Sequence, residues 1–337
     1  MIAYIGRRLL VSIPVVILAT LVVFVLVTAR GDPLRDYRHK PGVSQQTVEN
    51  LEREYHLDQS KPEQYIGWLG DFVRGDWGTS FSTDQPVSEM VGRAAWNSAL
   101  LVVPAVLLAA VIALFVGVVS AVRRYSAFDH VATGFSYFGF SMPDFFFALL
   151  LQLVLVVVLQ EQLGIQLFYV QGKYSVGQEG DIGNLIQHMV LPVLALMLAS
   201  VAAWSRYQRD SMIDVLHSDY IRTARAKGVP QREIVRRHAL RNALVPFVTV
   251  VAIDAGVLLG GVVVIERIFS WPGMGSLFFT ALERSDYPVL LVWMAVAAVF
   301  VVLANLVADI VYGALDPRIR VGNRARAKRA RAEVGQR

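Results

Sequence analysis

The chain has 337 residues, no cysteine, a hydrophobic fraction of 55%, a charged fraction of 18% and a formal charge of +5. With a mean hydropathy of +0.48 it is more apolar than a water-soluble domain, in which roughly 45–50% of residues are apolar, and this composition excludes a soluble globular protein as well as a disordered one. Without cysteine there is no disulfide framework, no thiolate metal site and no cysteine nucleophile.

Six segments are long and apolar enough to cross a hydrocarbon core of about 30 Å, which takes roughly 20 helical residues. In chain order they fall near 9–28, 100–122, 137–160, 185–204, 244–265 and 289–312. Arg7 and Arg8 precede the first, which runs into TARGDP rather than ending in small residues of a cleavage site, so it reads as an uncleaved anchor. Residues 1–28 are therefore the N-terminus and first span. Residues 29–97 form an extramembrane loop module, with a polar helical stretch VSQQTVENLEREYHLD followed by PEQYIGWLGDFVRGDWGTSF, whose aromatics recur among glycines. Such a segment packs as a cap on the membrane face and is marginal alone. Residues 98–312 carry the other five spans, and 313–337 are a basic tail.

Between the third and fourth spans, QGKYSVGQEGDIG reads as a mobile loop. Between the fourth and fifth, residues 205–243 hold nine of the chain's 32 Lys and Arg. Placing both termini in the cytoplasm puts 21 of those 32 on the inner side, as the retention of basic residues there requires. The outer side then holds 17 acidic residues, so the pI of about 9.5 reflects topology and implies no nucleic acid. The tail VGNRARAKRARAEVGQR is an anchor facing anionic lipid.

The strongest local signal lies in 205–243. Asp219 is placed to cap a short helix, with Tyr220, Ile221 and Ala224 on one face. Gly228 suits the left-handed residue that ends it, and Pro230 the start of the next helix. So short and basic a helix must lie across the membrane face and lean on something else. The residues alone leave two readings open, an interfacial helix with its arginines on lipid phosphates and a docking knob for a soluble partner.

Three stretches carry a resemblance. DYIRTARAKGV followed by RHALRNALVP resembles the EAA-type coupling loop of ABC importer permeases, in the form of the dipeptide and oligopeptide permease family. GFSMPDFFFALLLQ and ERIFSWPGMG resemble that family's motifs in the third span and after the fifth, and the likeness covers the whole chain in order. Arg222 and Thr223 depart from the broad EAA pattern, which has Glu and Ala there, and follow the peptide subfamily.

The resemblance implies an all-α membrane protein of the type I ABC importer permease fold, with six transmembrane helices and both termini cytoplasmic, multi-pass in the cell membrane. It implies pairing with a second homologous permease, two ATP-binding subunits and an extracytoplasmic substrate-binding protein, and import of di- or oligopeptides. Asp219, Tyr220, Ile221, Arg222, Thr223, Ala224, Arg225, Ala226, Lys227 and Gly228 would couple to the ATPase. No cofactor is expected on this chain; ATP and Mg would sit on the partner subunits, since no G-x-x-x-x-G-K-S/T loop occurs here. Nickel, glutathione and haem importers share this permease frame and stand as alternatives, and no histidine spacing suggests a metal site.

Two aspartates fall inside spans, where ionisable groups are costly and functional by default. Asp254 sits near the middle of the fifth span beside Gly256, Gly260 and Gly261, and Asp144 follows Pro143 in the third. All three of Pro143, Asp144 and Asp254 are candidates for the translocation pathway. A secondary transporter would also have six spans, but needs no docking knob and commonly shows an inverted repeat, of which none is evident. An enzyme using the two aspartates as a proton-sharing pair lacks the surrounding glycine signature, and no G-x-S-x-G or H-E-x-x-H motif supplies catalysis, so no catalytic residue is assigned.

Overall fold

The computed structural model describes residues 2–29, 31, 34, 38, 43–155, 162, 164 and 167–315, and these are almost wholly helical. Among them no strand forms beyond one bridge between Thr79 and Pro86. Helix α1 (Ile2–Thr28) leads to a small module made of α2 (Gln45–Glu54) and α3 (Lys61–Arg74). The bundle continues with α4 (Val87–Val122), α5 (Ala127–Ser141), α6 (Asp144–Leu151) and α7 (Ile182–Leu216). The short α8 (Asp219–Ala226) follows, then a turn at Gln231–Glu233 and a π-helical turn at Ile234–Ala239. The chain closes with α9 (Leu240–Ile268), α10 (Met274–Glu283) and α11 (Tyr287–Leu315).

Among the described residues five helices are long and apolar enough to cross a membrane, and the pair α5 and α6 counts as a sixth if it is one broken span. The third span is thus not the straight helix its apolar run suggests. Pro143 lacks an amide hydrogen and drives Met142 into extended backbone (φ −98°, ψ 128°), so α5 ends there and the next helix departs at 107°. Residues 156–160, the end of that expected span, lie outside the described residues, as does the tail 316–337.

Elsewhere the helices outrun the spans. At 36 and 35 residues, α4 and α7 reach about 50 Å, so their ends stand well clear of a hydrocarbon core of about 30 Å. The loop boundary expected at residue 97 falls inside α4, which runs unbroken from the module into the bundle. Among the described elements these two helices make the most extensive contact. Its basis is a stripe at every fourth residue of α4, namely Ala105, Ala109, Ala113, Gly117 and Ala121, all buried. Small residues let two backbones approach where lipid offers no hydrophobic drive to associate. At Gly117 the approach leaves no room for a side chain: a Cβ there would lie 2.7 Å from the Ser205 carbonyl oxygen.

The module is a cap seated on α1 and α11. Tyr65, Trp68 and Phe72 recur at helical spacing on α3 and extend an aromatic series from Phe24 of α1 to Trp77, with Phe72 and Trp77 stacked at 5.4 Å. The Tyr65 hydroxyl reaches into α1, donating to the Ile17 carbonyl at 2.9 Å. The described part of the loop expected to be mobile, 167–181, is irregular but fastened: Gly172 donates to the Phe269 carbonyl at 2.9 Å, and Ser175 to Asn184 at 2.8 Å.

Candidate functional site

The candidate coupling helix α8 is built by local rules. Its N-cap is Ser218, in extended backbone, and Asp219 is the first helical residue rather than the cap expected of it. A carboxylate in the first turn still favours the helix through the dipole. At the other end Gly228 adopts φ +78°, donating to the Arg225 carbonyl at 2.9 Å, while Val229 donates to Ala224 at 3.2 Å. That pair of bonds is a Schellman closure, which needs a left-handed residue and places Val229 against Ala224.

One residue seats the helix. Ile221 is fully buried among Met212, Leu216, Ile234, Ala239 and Ala243, with Ala224 partly buried beside it. Tyr220 does not share this face, because successive helical residues point about 100° apart. It lies exposed at the rim, its hydroxyl accepting from Asn242 Nδ2 at 2.7 Å. Asp219, Arg222, Thr223, Arg225, Ala226, Lys227 and Gly228 are all exposed. Arg222 pairs with Asp219 one turn back. Thr223 bonds its own helix, donating to the Asp219 carbonyl at 3.0 Å. The outward face of this eight-residue helix and its C-cap Lys227 therefore carries three cations and one carboxylate. Close by, Arg209 on α7 forms a bidentate pair with Asp129 on α5 at 2.6 and 2.9 Å, mostly buried, which ties the broken span to the helix leading into α8.

The pathway candidates separate. Pro143 and Asp144 stand at the break between α5 and α6, and Asp144 is exposed on the isolated chain. Asp254 is instead engaged: its Oδ2 accepts from Trp204 Nε1 at 2.8 Å, joining α9 to α7. Its neighbour Gly256 lies against Ala304 of α11, with 3.2 Å from an added Cβ. His188 is buried, stacked on Tyr169 at 4.3 Å, with Nδ1 2.8 Å from the Asn184 carbonyl. Among the described residues no group of three His, Asp or Glu is placed to hold a metal.

At the end remote from α8, two buried carboxylates hold the structure, and sequence reasoning assigned neither a role. Glu266 is fully buried and accepts from Ser98 Oγ at 2.5 Å and from the Gly275 and Ser276 amides at 2.7 and 3.4 Å, linking α9, α4 and the first turn of α10. Its carboxylate fills the space a side chain at Gly273 would need. Asp286 accepts from both hydroxyls and two amides of Ser80, Phe81 and Ser82 at 2.5–3.1 Å, fixing the module to the start of α11. The stretch ERIFSWPGMG was visible as a signature, and its opening Glu at the end of an apolar run was the available signal for Glu266. Asp286 pairs across more than 200 residues, and nothing local announces it.

These features define a multi-pass α-helical membrane protein that presents a short basic rod at one end of its bundle. The family model of the binding-protein-dependent transport system inner membrane component matches residues 113–321. An oligopeptide transport system permease protein of Bacillus subtilis, AppB, is 41% identical over 95% of this chain and 99% of its own length. The dipeptide transport system permease protein DppB of Escherichia coli is 35% identical over 95% and 99%, and the oligopeptide permease OppB of Mycobacterium tuberculosis 36% over 94% and 99%. The chain belongs to this family of inner membrane transport components and is a multi-pass permease subunit of an ABC importer.

Proposed function

We infer that this permease imports di- or oligopeptides as half of a pathway completed by a second, homologous permease, with two ATP-binding subunits docked in the cytoplasm and an extracytoplasmic binding protein delivering cargo. The names of its relatives, which are oligopeptide and dipeptide permeases, support peptide as the cargo. The charge distribution of the loops supports cytoplasmic termini, with α8 inside and the 29–97 module outside.

The observation that carries the reading is the exposed face of α8 on its single buried anchor, Ile221. Arg222, Arg225 and Lys227 meet acidic groups in a cleft of an ATP-binding subunit, and Thr223, Ala226 and Gly228 allow close approach. Asp219 and Tyr220 fix the rod's first turn, and Ile221 and Ala224 hand its displacement to α7 and α9. ATP and Mg remain on the partners; when those close, the rod moves with them and the spans rock between inward-open and outward-open as rigid bodies. Pro143 gives the broken span its bend, Asp144 faces the pathway or the second permease, and Asp254 holds α7 to α9 beside it. The outer loop 161–188, or the outer loop after Glu266, receives the binding protein.

The test is uptake by the reconstituted complex in liposomes. Peptide accumulates with ATP inside and binding protein outside, and not with an ion gradient alone; uptake driven by the gradient without ATP overturns the reading.

A further inference from the structure

The outer face holds a cleft of about 360 Å³ between the first turns of α4 and helix α10, lined by Met90, Arg93, Ala94 and Asn97 on one side and by Ser276, Leu277 and Thr280 on the other. At about 30 Å³ per water it has room for roughly ten, enough for the end of a peptide or one acidic side chain. Its floor is apolar, and its polar groups are mainly donors. Arg93 is exposed, and its guanidinium is steadied by the Gln85 side chain at 3.1 Å and the Glu89 carbonyl at 3.4 Å. That uses two of five N–H groups, and no carboxylate pairs with it among the described residues. The Ser276 hydroxyl has no partner within the described chain, and Asn97, four residues beyond Arg93, receives the Lys173 ammonium at 2.8 Å.

Lys173 likewise has no carboxylate beside it among the described residues, and burial pushes its ammonium below the ordinary lysine range. Arg93 in the cleft and Lys173 behind Asn97, neither paired with a carboxylate among the described residues, stand out on a side of the protein that carries 17 acidic residues against 11 basic ones. The first amides of α10 are already taken by Glu266 and Ser98, so the attraction for an anion comes from these side chains and not from the helix end. The cleft is also wired into the bundle. Asn97 donates through Nδ2 to the Pro272 carbonyl at 2.8 Å and accepts from Trp271 Nε1 on its own carbonyl at 2.9 Å, beside the Glu266 junction of α4, α9 and α10.

We propose that this cleft is a carboxylate site, in which Arg93 forms the paired hydrogen bonds, Ser276 donates a third and Lys173 supplies field through Asn97. A planar guanidinium is suited to bidentate carboxylate recognition. Resting on the peptide-import reading, the site takes either the C-terminal carboxylate of the cargo or an aspartate or glutamate side chain of the protein that delivers it. A ligand there bears directly on α10 and α4, so its arrival and departure act on the helices that close the outer end.

The test uses the complete complex in liposomes. Arg93→Gln and Ser276→Ala are compared with Arg74→Gln, a charge change on the module away from the cleft. Half-saturating concentrations are measured separately for peptide and for binding protein. Arg93→Gln raises one of them about tenfold, equivalent to about 1.4 kcal/mol; Ser276→Ala raises it less, Arg93→Lys recovers part of the loss, and Arg74→Gln changes nothing. If cargo supplies the carboxylate, amidating the peptide C-terminus removes the difference between the unmodified and the Arg93→Gln proteins; if the delivering protein supplies it, neutralising that protein's surface carboxylates does so. Unchanged half-saturation for both ligands in Arg93→Gln and Ser276→Ala, in a complex that imports peptide with ATP, overturns the carboxylate site alone. Failure of the unmodified complex to import with ATP strikes the transport reading instead.

Discussion

On α8 a single isoleucine is buried and the charges face outward; at the far end of the bundle the carboxylates of Glu266 and Asp286 are buried and take their donors from the surrounding segments. The first arrangement leaves Arg222, Arg225 and Lys227 exposed, and it holds α8 by one apolar contact patch. The second uses its charge for fastening, since a buried carboxylate with several donors orients each of the segments that supply them. On the proposed coupling role, a rod that is moved and a frame that resists movement differ in where their charges point.

The comparison breaks most completely at the rod's anchor. Ile221→Asp places a carboxylate among Met212, Leu216 and Ile234, detaching α8 from the bundle. Peptide uptake falls more than tenfold while the amount of permease in the membrane stays constant, as immunoblotting of membrane fractions reads. Next is the fastened end. Glu266→Ala strands Ser98, Gly275 and Ser276 donors and costs on the order of 3 kcal/mol, measured as a lowered melting temperature in detergent, whereas Glu266→Gln loses less because it keeps an acceptor.

Between the two ends, Gly117→Ala forces the α4 and α7 backbones apart at the Ser205 carbonyl and destabilises by about 2 kcal/mol in the same measurement. The smallest effect belongs to the rod's closure. Gly228→Ala must hold φ +78° with a side chain, at about 1 kcal/mol, and frays the last turn of α8 without unseating Ile221. Uptake drops by less than in Ile221→Asp, and a melting curve of the whole protein scarcely moves.

How much was legible in the sequence follows the range of the interactions involved. Uninterrupted runs such as LVVPAVLLAAVIALFVGVV announce spans because hydropathy is a local sum. Where a helix continues into water, as α7 does through residues 205–216, hydropathy falls while the backbone pattern persists, so the expected ends at the lipid boundary fell short of the helix ends. Gly228 and Pro230 marked the turn after α8 through backbone conformation alone, and both stand where a turn requires them. The cap was misplaced by one residue because Ser218 and Asp219 are both good N-cap types. In the module, Tyr65, Trp68 and Phe72 have helical spacing, but Gly67 and Gly70 between them masked it. The Asp286 clamp and the Trp204–Asp254 bond join distant segments, and their pairing exists only once the helices are packed.

The absence of cysteine from the chain allows the central claim to be tested by a single introduced thiol. Ala226→Cys on the exposed face of α8, labelled with a benzophenone maleimide and illuminated within the assembled complex, is predicted to give an adduct with an ATP-binding subunit and to stop import in proportion to adduct formed. Labelling at Ala226→Cys that yields adducts with lipid only, or an adduct with the ATPase that leaves import running at full rate, would contradict it.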